Sequence, residues 1–473
     1  MQSRRDQLQA YKFLTRRALA ALVVGEPDVP EAPMRRLSLT TITGIMVAVL
    51  VVAGFAVFGL IRPGTNTKLS NGTVYIERET GAQFVLLGDG LLHPALNYTS
   101  AVLAIAGNQG KVEVKTVAAS TLARKPHGAT IGIDGLPQTL PRSASRLAGA
   151  PWTVCSQIKQ RAIDDDFAKV TVTVGDLGGA NALGPDDGVV VSAPGSHLSY
   201  LLWQGQRLQI GSSDQDSARI ATALNLKITQ PVIVGNGLLN ALPQGPSLRT
   251  PSVPDAGAPG LKVADTSAVV GQLVEITDDQ SHVVVLKDSV ARVTPVEADL
   301  LETVALTGGN PISPIKASKA AVLNLPQREL PDDLAHQFDK LPTQAPQVGD
   351  AATRAGGVCV VYGANSSLTL AVPSGTAPPG GASINGSPPS QQGIADEVDV
   401  PAEKAAVVVP DNNSATRFIV AAPGKKFAVS AADLGGLGYG AVAPLKLPAQ
   451  WLLLLPTGPA LDRSAAQRTA GGS

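Results

Sequence analysis

The longest apolar run in the chain, residues 37–61 (LSLTTITGIMVAVLVVAGFAVFGLI), contains 25 residues and no charge. As a helix it would extend roughly 37 Å at about 1.5 Å per residue, enough to cross a hydrocarbon layer of about 30 Å with some tilt. Arg35 and Arg36 precede it, and Arg62-Pro63-Gly64 ends it. Arg4, Arg5, Lys12, Arg16, Arg17, Arg35 and Arg36 all lie before the run, so the positive-inside rule predicts a cytoplasmic N-terminus with everything after Arg62 outside. A cleaved signal peptide is the alternative. The length of the run, the residues ahead of it and the lack of a clear Ala-x-Ala site favour an anchor.

Ahead of the anchor the apolar period is helical. Ser3-Arg4-Arg5-Asp6 has the form of a capping box. Leu8, Tyr11, Leu14, Ala18, Leu19 and Leu22 then fall on one side at about 100° per residue, with Lys12, Arg16 and Arg17 away from them. Phe13 lies off the stripe, and Gly25 and Pro27 stop the helix. Such a helix docks a cytoplasmic partner, lies on anionic membrane lipid, or serves only as a topology signal. Leu8, Tyr11, Leu14, Ala18 and Leu22 are the candidate partner-docking residues.

Beyond residue 62 the pattern changes to short strands and turns, with internal repeats. Ile131-x-Ile133-x-Gly135-Leu136 with Leu140-Pro141 matches Ile233-x-Gly235-x-Gly237-Leu238 with Leu242-Pro243 at an offset of 102, the third position excepted. LPQGPSL at 242–248 recurs as LPTGPAL at 455–461, an offset of 213. Before the last copy, 417–421 reads as a strand, Gly424 as a turn, 427–429 as a strand and 431–434 as a helix start. In the region 270–330, residues 282–287 read as a strand, and Thr294-Pro295 opens a helix. The first unit has 83–87 followed by 92–96. Four related α/β modules are expected. Between them, 152–155, 169–174, 358–362, 367–372 and 405–409 read as strands of another type, and the Pro/Gly/Ser tract 373–389 as a mobile loop.

Composition agrees. With 48 Gly and 36 Pro, many turns are favoured over a helical bundle. The 38 basic and 38 acidic residues balance, which points away from nucleic acid. Two cysteines outside the membrane predict a disulfide, Cys155 to Cys359, tying the two central segments into one sheet domain.

Chemistry-bearing motifs are scarce. No GxxxxGK[ST] phosphate loop occurs; Gly107-Asn-Gln-Gly-Lys111 is too short, and Gly424-Lys-Lys lacks the hydroxyl residue. His93, His127, His197, His282 and His336 have no metal-ligand spacing, and no GxSxG is present. Asp164-Asp165-Asp166 reads as a solvated turn. No catalytic, cofactor-binding or metal residue is assigned.

At this point a resemblance enters. SRRDQLQAYKFLTRRALAALVVGEPD at 3–28, PMRR at 33–36, HPALN at 93–97, WTVC at 152–155, CVVY at 359–362 and GLGYGAVAP…LLPTGPALD at 436–462 together resemble the EccB family. EccB is the core membrane component of the actinobacterial type VII (ESX) secretion system. The resemblance covers the whole chain. It implies an α+β protein: one transmembrane helix, then an elongated periplasmic body of four repeat modules around a disulfide-bonded β core. It also implies assembly with EccC, EccD and EccE in the inner membrane. ATPase activity has been ascribed to some members, yet no residues here carry it over.

The expected organisation is 1–36 cytoplasmic helix, 37–61 transmembrane helix, 62–142 first module, 143–180 and 345–410 central β domain, 181–255 second module, 256–344 third module and 411–473 fourth module with tail. The expected function is a non-catalytic secretion scaffold that self-associates and needs no cofactor. An ATP-hydrolysing subunit and a cell-wall-binding module are the alternatives.

Overall fold

A computed structural model of the chain describes residues 3–25, 33–61, 68–106, 112–141, 143–159, 167–176, 178–226, 231–306, 312–374, 382–383, 393–401, 403–412 and 414–471. The tract expected to be mobile (373–389) lies outside these apart from Pro373, Ser374, Ala382 and Ser383. The triple Asp at 164–166 and the Arg62-Pro63-Gly64 stop lie outside as well. One unit contains 1–69, Ile76–Gly81 and Lys115–Lys125, and the rest forms a second.

In the first unit, helix α1 spans Arg4–Val24 and helix α2 spans Pro33–Ile61. Within α2, Ser38–Val57 is long and apolar enough to cross a membrane.

Four small sheets recur along the rest of the chain with one strand order: third, second, first, fourth. They are Thr73–Glu77, Gln83–Leu86, Leu92–Ala95 and Glu113–Val117; Asp187–Ser192, Ser199–Trp203, Gln206–Ile210 and Val232–Ile233; Leu273–Ile276, His282–Val285, Val290–Val293 and Ile315–Ala317; and Ala405–Pro410, Arg417–Ala421, Lys425–Val429 and Leu445–Leu447. In the last three sheets the fourth strand lies parallel to the first. The second sheet also receives Gln347–Val348 beside its first strand.

The local causes repeat too. After each third strand a polar residue caps a helix by accepting from the N–H three residues on: Asn97, Ser213, Thr294 and Ser430. At Thr294 this becomes a full capping box with Glu297, with Pro295 in the first turn. After each fourth strand the chain makes a short helix and meets a proline. The carbonyls of Pro126, Pro243, Pro326 and Pro456 accept from the third-strand N–H groups of Leu92, Arg207, Val290 and Lys426 at 2.9, 3.0, 2.9 and 2.9 Å.

This register corrects the first repeat offset. Ile131 bridges Ala95, as Leu248 bridges Ile210 and Leu461 bridges Val429. The counterpart of Ile131 is therefore Leu248, 117 residues on, and not Ile233, which lies in a fourth strand. Short runs of Ile and Gly fit a strand end and an extended return equally well, so their spacing alone misassigned the pair. The offset of 213 does join equivalent places.

Strands within 152–182 and 357–399 build a seven-stranded sheet, in the order Ala382–Ser383, Glu397–Asp399, Phe167–Val174, Trp152–Lys159, Gly357–Tyr362, Leu368–Pro373, Ala180–Ala182. Residues 405–409, expected in this central domain, open the fourth small sheet instead, pairing with Arg417–Ala421 and Leu445–Leu447. Ala-Ala-Val-Val-Val is buried at Ala405, Ala406, Val407 and Val408 alike and shows no face alternation, so its pattern cannot name its sheet.

One face of the central sheet (Trp152, Val154, Val170, Val358, Val360) shares a core with the helices Asn236–Ala241 and Ala449–Leu453. Trp451 ties those helices together by donating from Nε1 to the Ala241 carbonyl at 2.8 Å. A second core joins the second and third sheets, and another joins the first and fourth.

Candidate functional site

Helix α1 begins at Ser3, whose hydroxyl accepts from Arg5 N–H at 3.1 Å. The expected capping box with Asp6 reduces to this single side-chain bond; the Asp6 N–H goes to the Ser3 carbonyl at 2.9 Å. Gly25 closes the helix in the left-handed conformation at φ +74°, where a residue without Cβ carries no steric cost. Along the helix Leu8, Tyr11, Leu14, Ala18 and Leu22 are exposed, Leu22 at 85%. The helix thus presents the whole predicted stripe. Phe13, off the stripe, lies under the Arg17 guanidinium, 5.9 Å from the ring centroid, so part of the basic face rests on an aromatic ring.

Cys155 and Cys359 face each other directly in the antiparallel pair Trp152–Lys159 and Gly357–Tyr362, with Cα atoms 4.0 Å apart and the sulfurs bonded. That close approach belongs to a non-hydrogen-bonded cross-strand pair, the position where β-carbons come nearest. The bond lies on the face opposite the shared core, in a row that continues through Thr171 to Glu397. Glu397 pairs with Lys169. Beside them Asp399 is buried, its Oδ1 without a hydrogen-bond partner among the described residues. Burial, and then the Glu397 charge, push its carboxyl up to about 6, against the pull of Lys169.

Among the described residues no three His, Cys, Asp or Glu side chains are grouped to hold a metal ion. His93 is built into the first sheet: Nε2 lies 2.9 Å from Asp89 and Nδ1 2.8 Å from the Ala129 carbonyl. In the Gly424-Lys425-Lys426 string Gly424 ends a hairpin turn and the lysines open the strand Lys425–Val429, Lys426 being buried with its ammonium on the Leu452 carbonyl. The string at 107–111 lies outside the described residues.

Sequence reasoning passed over two features. The C-terminal residues after Asp462 pack back on the first sheet, and Asp462-Arg-Ser-Ala is a readable helix N-cap signal. The buried Ala291 and the exposed Arg328, which stand where the other sheets carry a larger strand residue and a glycine, are visible only once the third strands are in register.

Among the described residues one apolar helix is able to span a bilayer, and with the exposed apolar stripe ahead of it and the disulfide-stapled α+β body it defines a class, the membrane-anchored proteins with a β-rich body. A family profile described as "Type VII secretion system ESX-1, transport TM domain B" matches residues 1–472. The chain belongs to this family, the EccB family of type VII secretion systems.

Among relatives, the ESX-3 secretion system ATPase EccB3 of Mycobacterium tuberculosis (strain H37Rv) is 33% identical over 310 residues, covering 63% of this chain and 56% of that protein. The ESX-1 secretion system ATPase EccB1 of the same strain is 28% identical over 334 residues, covering 69% and 66%. The match thus spans little more than half of the EccB3 relative's own length. Among solved structures, a chain of an intact ESX-5 inner membrane complex is similar with a TM-score of 0.65 at 25% identity, covering 100% of this chain and 96% of that one. The EccB3 dimer from an ESX-3 core complex shares the fold, with a TM-score of 0.62 at 24% identity and coverage of 83% and 99%.

Proposed function

We propose that the chain is a structural, non-catalytic membrane component of a type VII secretion complex. In this reading α1 grips cytoplasmic partners, α2 anchors, and the body organises the periplasmic face. The observation that carries it is the exposed stripe of α1 ahead of a spanning helix, in a chain similar along its whole length to one from an ESX-5 inner membrane complex. The N-terminus is cytoplasmic, as the arginine bias before α2 requires. The body consists of four related modules around the disulfide-bonded sheet, supported by the shared strand order, caps and proline returns. The fourth module then runs from 405, and the central domain comprises 143–180 and 345–404. The other boundaries stay at 62–142, 181–255 and 256–344, with 1–36 and 37–61 for the cytoplasmic helix and the anchor.

The partners are the membrane components EccC, EccD and EccE and further copies of the chain, self-association being favoured by the dimer of the similar EccB3 structure. Anionic lipid meets the basic face of α1. No cofactor takes part. Extraction of the native complex in mild detergent, with mass spectrometry of the co-purifying chains, tests this reading: the other membrane components should be present. The relatives named ATPases favour a second reading. Nucleotide binding and turnover by the purified chain, lost on substitution of its own residues, would replace the scaffold with that reading.

A further inference from the structure

The last residues do not trail away from the fourth sheet. Leu461 bridges Val429 there, and from Asp462 the chain turns to the first sheet. Asp462 caps the short helix Arg463–Ala466, accepting from the Ala465 N–H at 2.7 Å and the Ser464 hydroxyl at 2.6 Å. That helix packs on α3 (Tyr98–Ile105), and Ala466 is fully buried in the core common to the first and fourth sheets. Gln467 Nε2 then donates to the Ala104 carbonyl at 2.6 Å, satisfying one of the acceptors that every helix C-terminus leaves open. Gly132 N–H donates to the Arg468 carbonyl at 3.2 Å and Ala470 N–H to the Thr130 carbonyl at 2.8 Å, which makes Thr469 an antiparallel partner of Ile131.

A cavity of about 320 Å³ lies between Tyr98, Thr99 and Val102 of α3 and Pro141, Leu437 and Tyr439. The pocket opens to the surface, and residues 98–104 of α3 are buried beside it. The C-terminal segment adds its contacts to those that α3 already makes with the helix Ala431–Gly436 and with the core common to the first and fourth sheets.

We infer that residues 462–470 form a clasp that sets how α3 and the 130–132 strip are held against the fourth sheet, and that it opens locally without unfolding the sheets on either side. The fourth sheet is complete before the clasp begins, and it shares a separate core with the disulfide-bonded central sheet that includes no clasp residue. What the clasp adds is a short helix, one side-chain bond and two backbone bonds, the scale of a local opening unit and not of a domain. The clasp thereby adjusts how firmly the first and fourth sheets, which share a core, are held together.

Amide exchange of the full chain in detergent, read by mass spectrometry, tests this. Removing residues 463–473 should speed exchange in 99–106 and 130–133 at least tenfold, with the strands Trp152–Lys159, Gly357–Tyr362 and Arg417–Ala421 unchanged. Unchanged exchange in α3 would overturn the inference. Loss of protection throughout the body would also overturn it, because the segment would then belong to the global core. Ala470→Pro keeps the length, removes the N–H donated to Thr130 and restricts the backbone of Thr469 beside Ile131. It should speed exchange at 130–133 alone, and no effect there would remove the strand-like half of the clasp. Arg463→Ala, at an exposed position, should leave every segment as in the wild type, and a change there equal to that of the deletion would count against the named contacts.

Discussion

A β-carbon on Gly458 would stand 2.3 Å from Cε1 of Phe427, so the proline return of the fourth sheet passes flat against that ring. The same approach recurs at Gly128 over His93, also at 2.3 Å, and in looser form at Gly245, 3.3 Å from Cγ of Leu208. In the third sheet the pair is exchanged. The strand position held elsewhere by His93, Leu208 and Phe427 is the buried Ala291, and Arg328 stands in place of the glycine. Arg328 donates its N–H to the Val290 carbonyl, as Gly128, Gly245 and Gly458 do to Leu92, Arg207 and Lys426. Side-chain volume sits on the return and not on the strand, which lets the third sheet display an exposed arginine, paired with Asp288, where the others keep glycine.

Gly458→Ala should therefore destabilise the fourth sheet by about 1–3 kcal/mol, the usual cost of forcing a methyl into a filled site. Arg328→Ala should change stability by less than about 0.5 kcal/mol, because its pair is exposed. Denaturant midpoints of the two variants check this. Equal effects would show that the two returns are not packed differently.

The relation also explains what the sequence discloses. LPQGPSL and LPTGPAL were legible as a repeat because proline and glycine are both required at the return, one for its carbonyl position and one for clearance. At the return of the third sheet Arg328 stands in place of the glycine, and at that of the first KPHGATI (125–131) keeps only the proline and glycine and lacks the flanking leucines and second proline, so neither stood out. The pattern around Ile131 misled because an extended return and a fourth strand use the same residue types. The disulfide was legible because only two cysteines exist, and α1 and α2 because single helices carry their whole signal locally. Sheet membership of residues 405–409 was not legible, since pairing partners lie far away in the chain.

Cys155 and Cys359 close a loop with a sequence separation of 204, for which the chain-entropy treatment gives about 5 kcal/mol before any strain is subtracted. Replacing both by Ala should lower the unfolding midpoint of the central sheet strongly and leave α1 unaffected. Peptide mapping of unreduced protein should find no alkylated Cys155 or Cys359. Recovery of both as freely alkylated thiols would remove the staple from the account.

Asp399 gives a pH dependence of known sign. Its folded value of about 6 lies above the ordinary 3.8, so folding favours the protonated form. The contribution is fully present below about pH 4 and is lost as the pH rises through 6. Asp399→Asn should raise the thermal midpoint at pH 7.5, by on the order of 1–3 kcal/mol of stability, with the difference vanishing near pH 4. A difference that is constant from pH 4 to 8 would mean that the carboxyl does not titrate in this window.

The docking prediction for α1 rests on exposure. Leu8 is 55% and Leu22 85% exposed, so neither is needed to fold the helix, and each is available to a partner. Burying either in a complex would contribute about 1.5–3 kcal/mol, so Leu8→Asp with Leu22→Asp should weaken docking by roughly two to four orders of magnitude. The acid at position 22 sits in the last turn, where the helix dipole disfavours it by about 0.3–1 kcal/mol. A Leu8→Gln, Leu22→Gln pair therefore serves as the variant that keeps the helix neutral there. Both pairs should release the other membrane components on co-purification and stop secretion, while the protein stays inserted and its disulfide stays formed. If the two Asp changes leave co-purification and secretion intact, the stripe serves only to orient the chain. If Asp releases the partners and Gln does not, the loss came from the helix terminus and not from the apolar face.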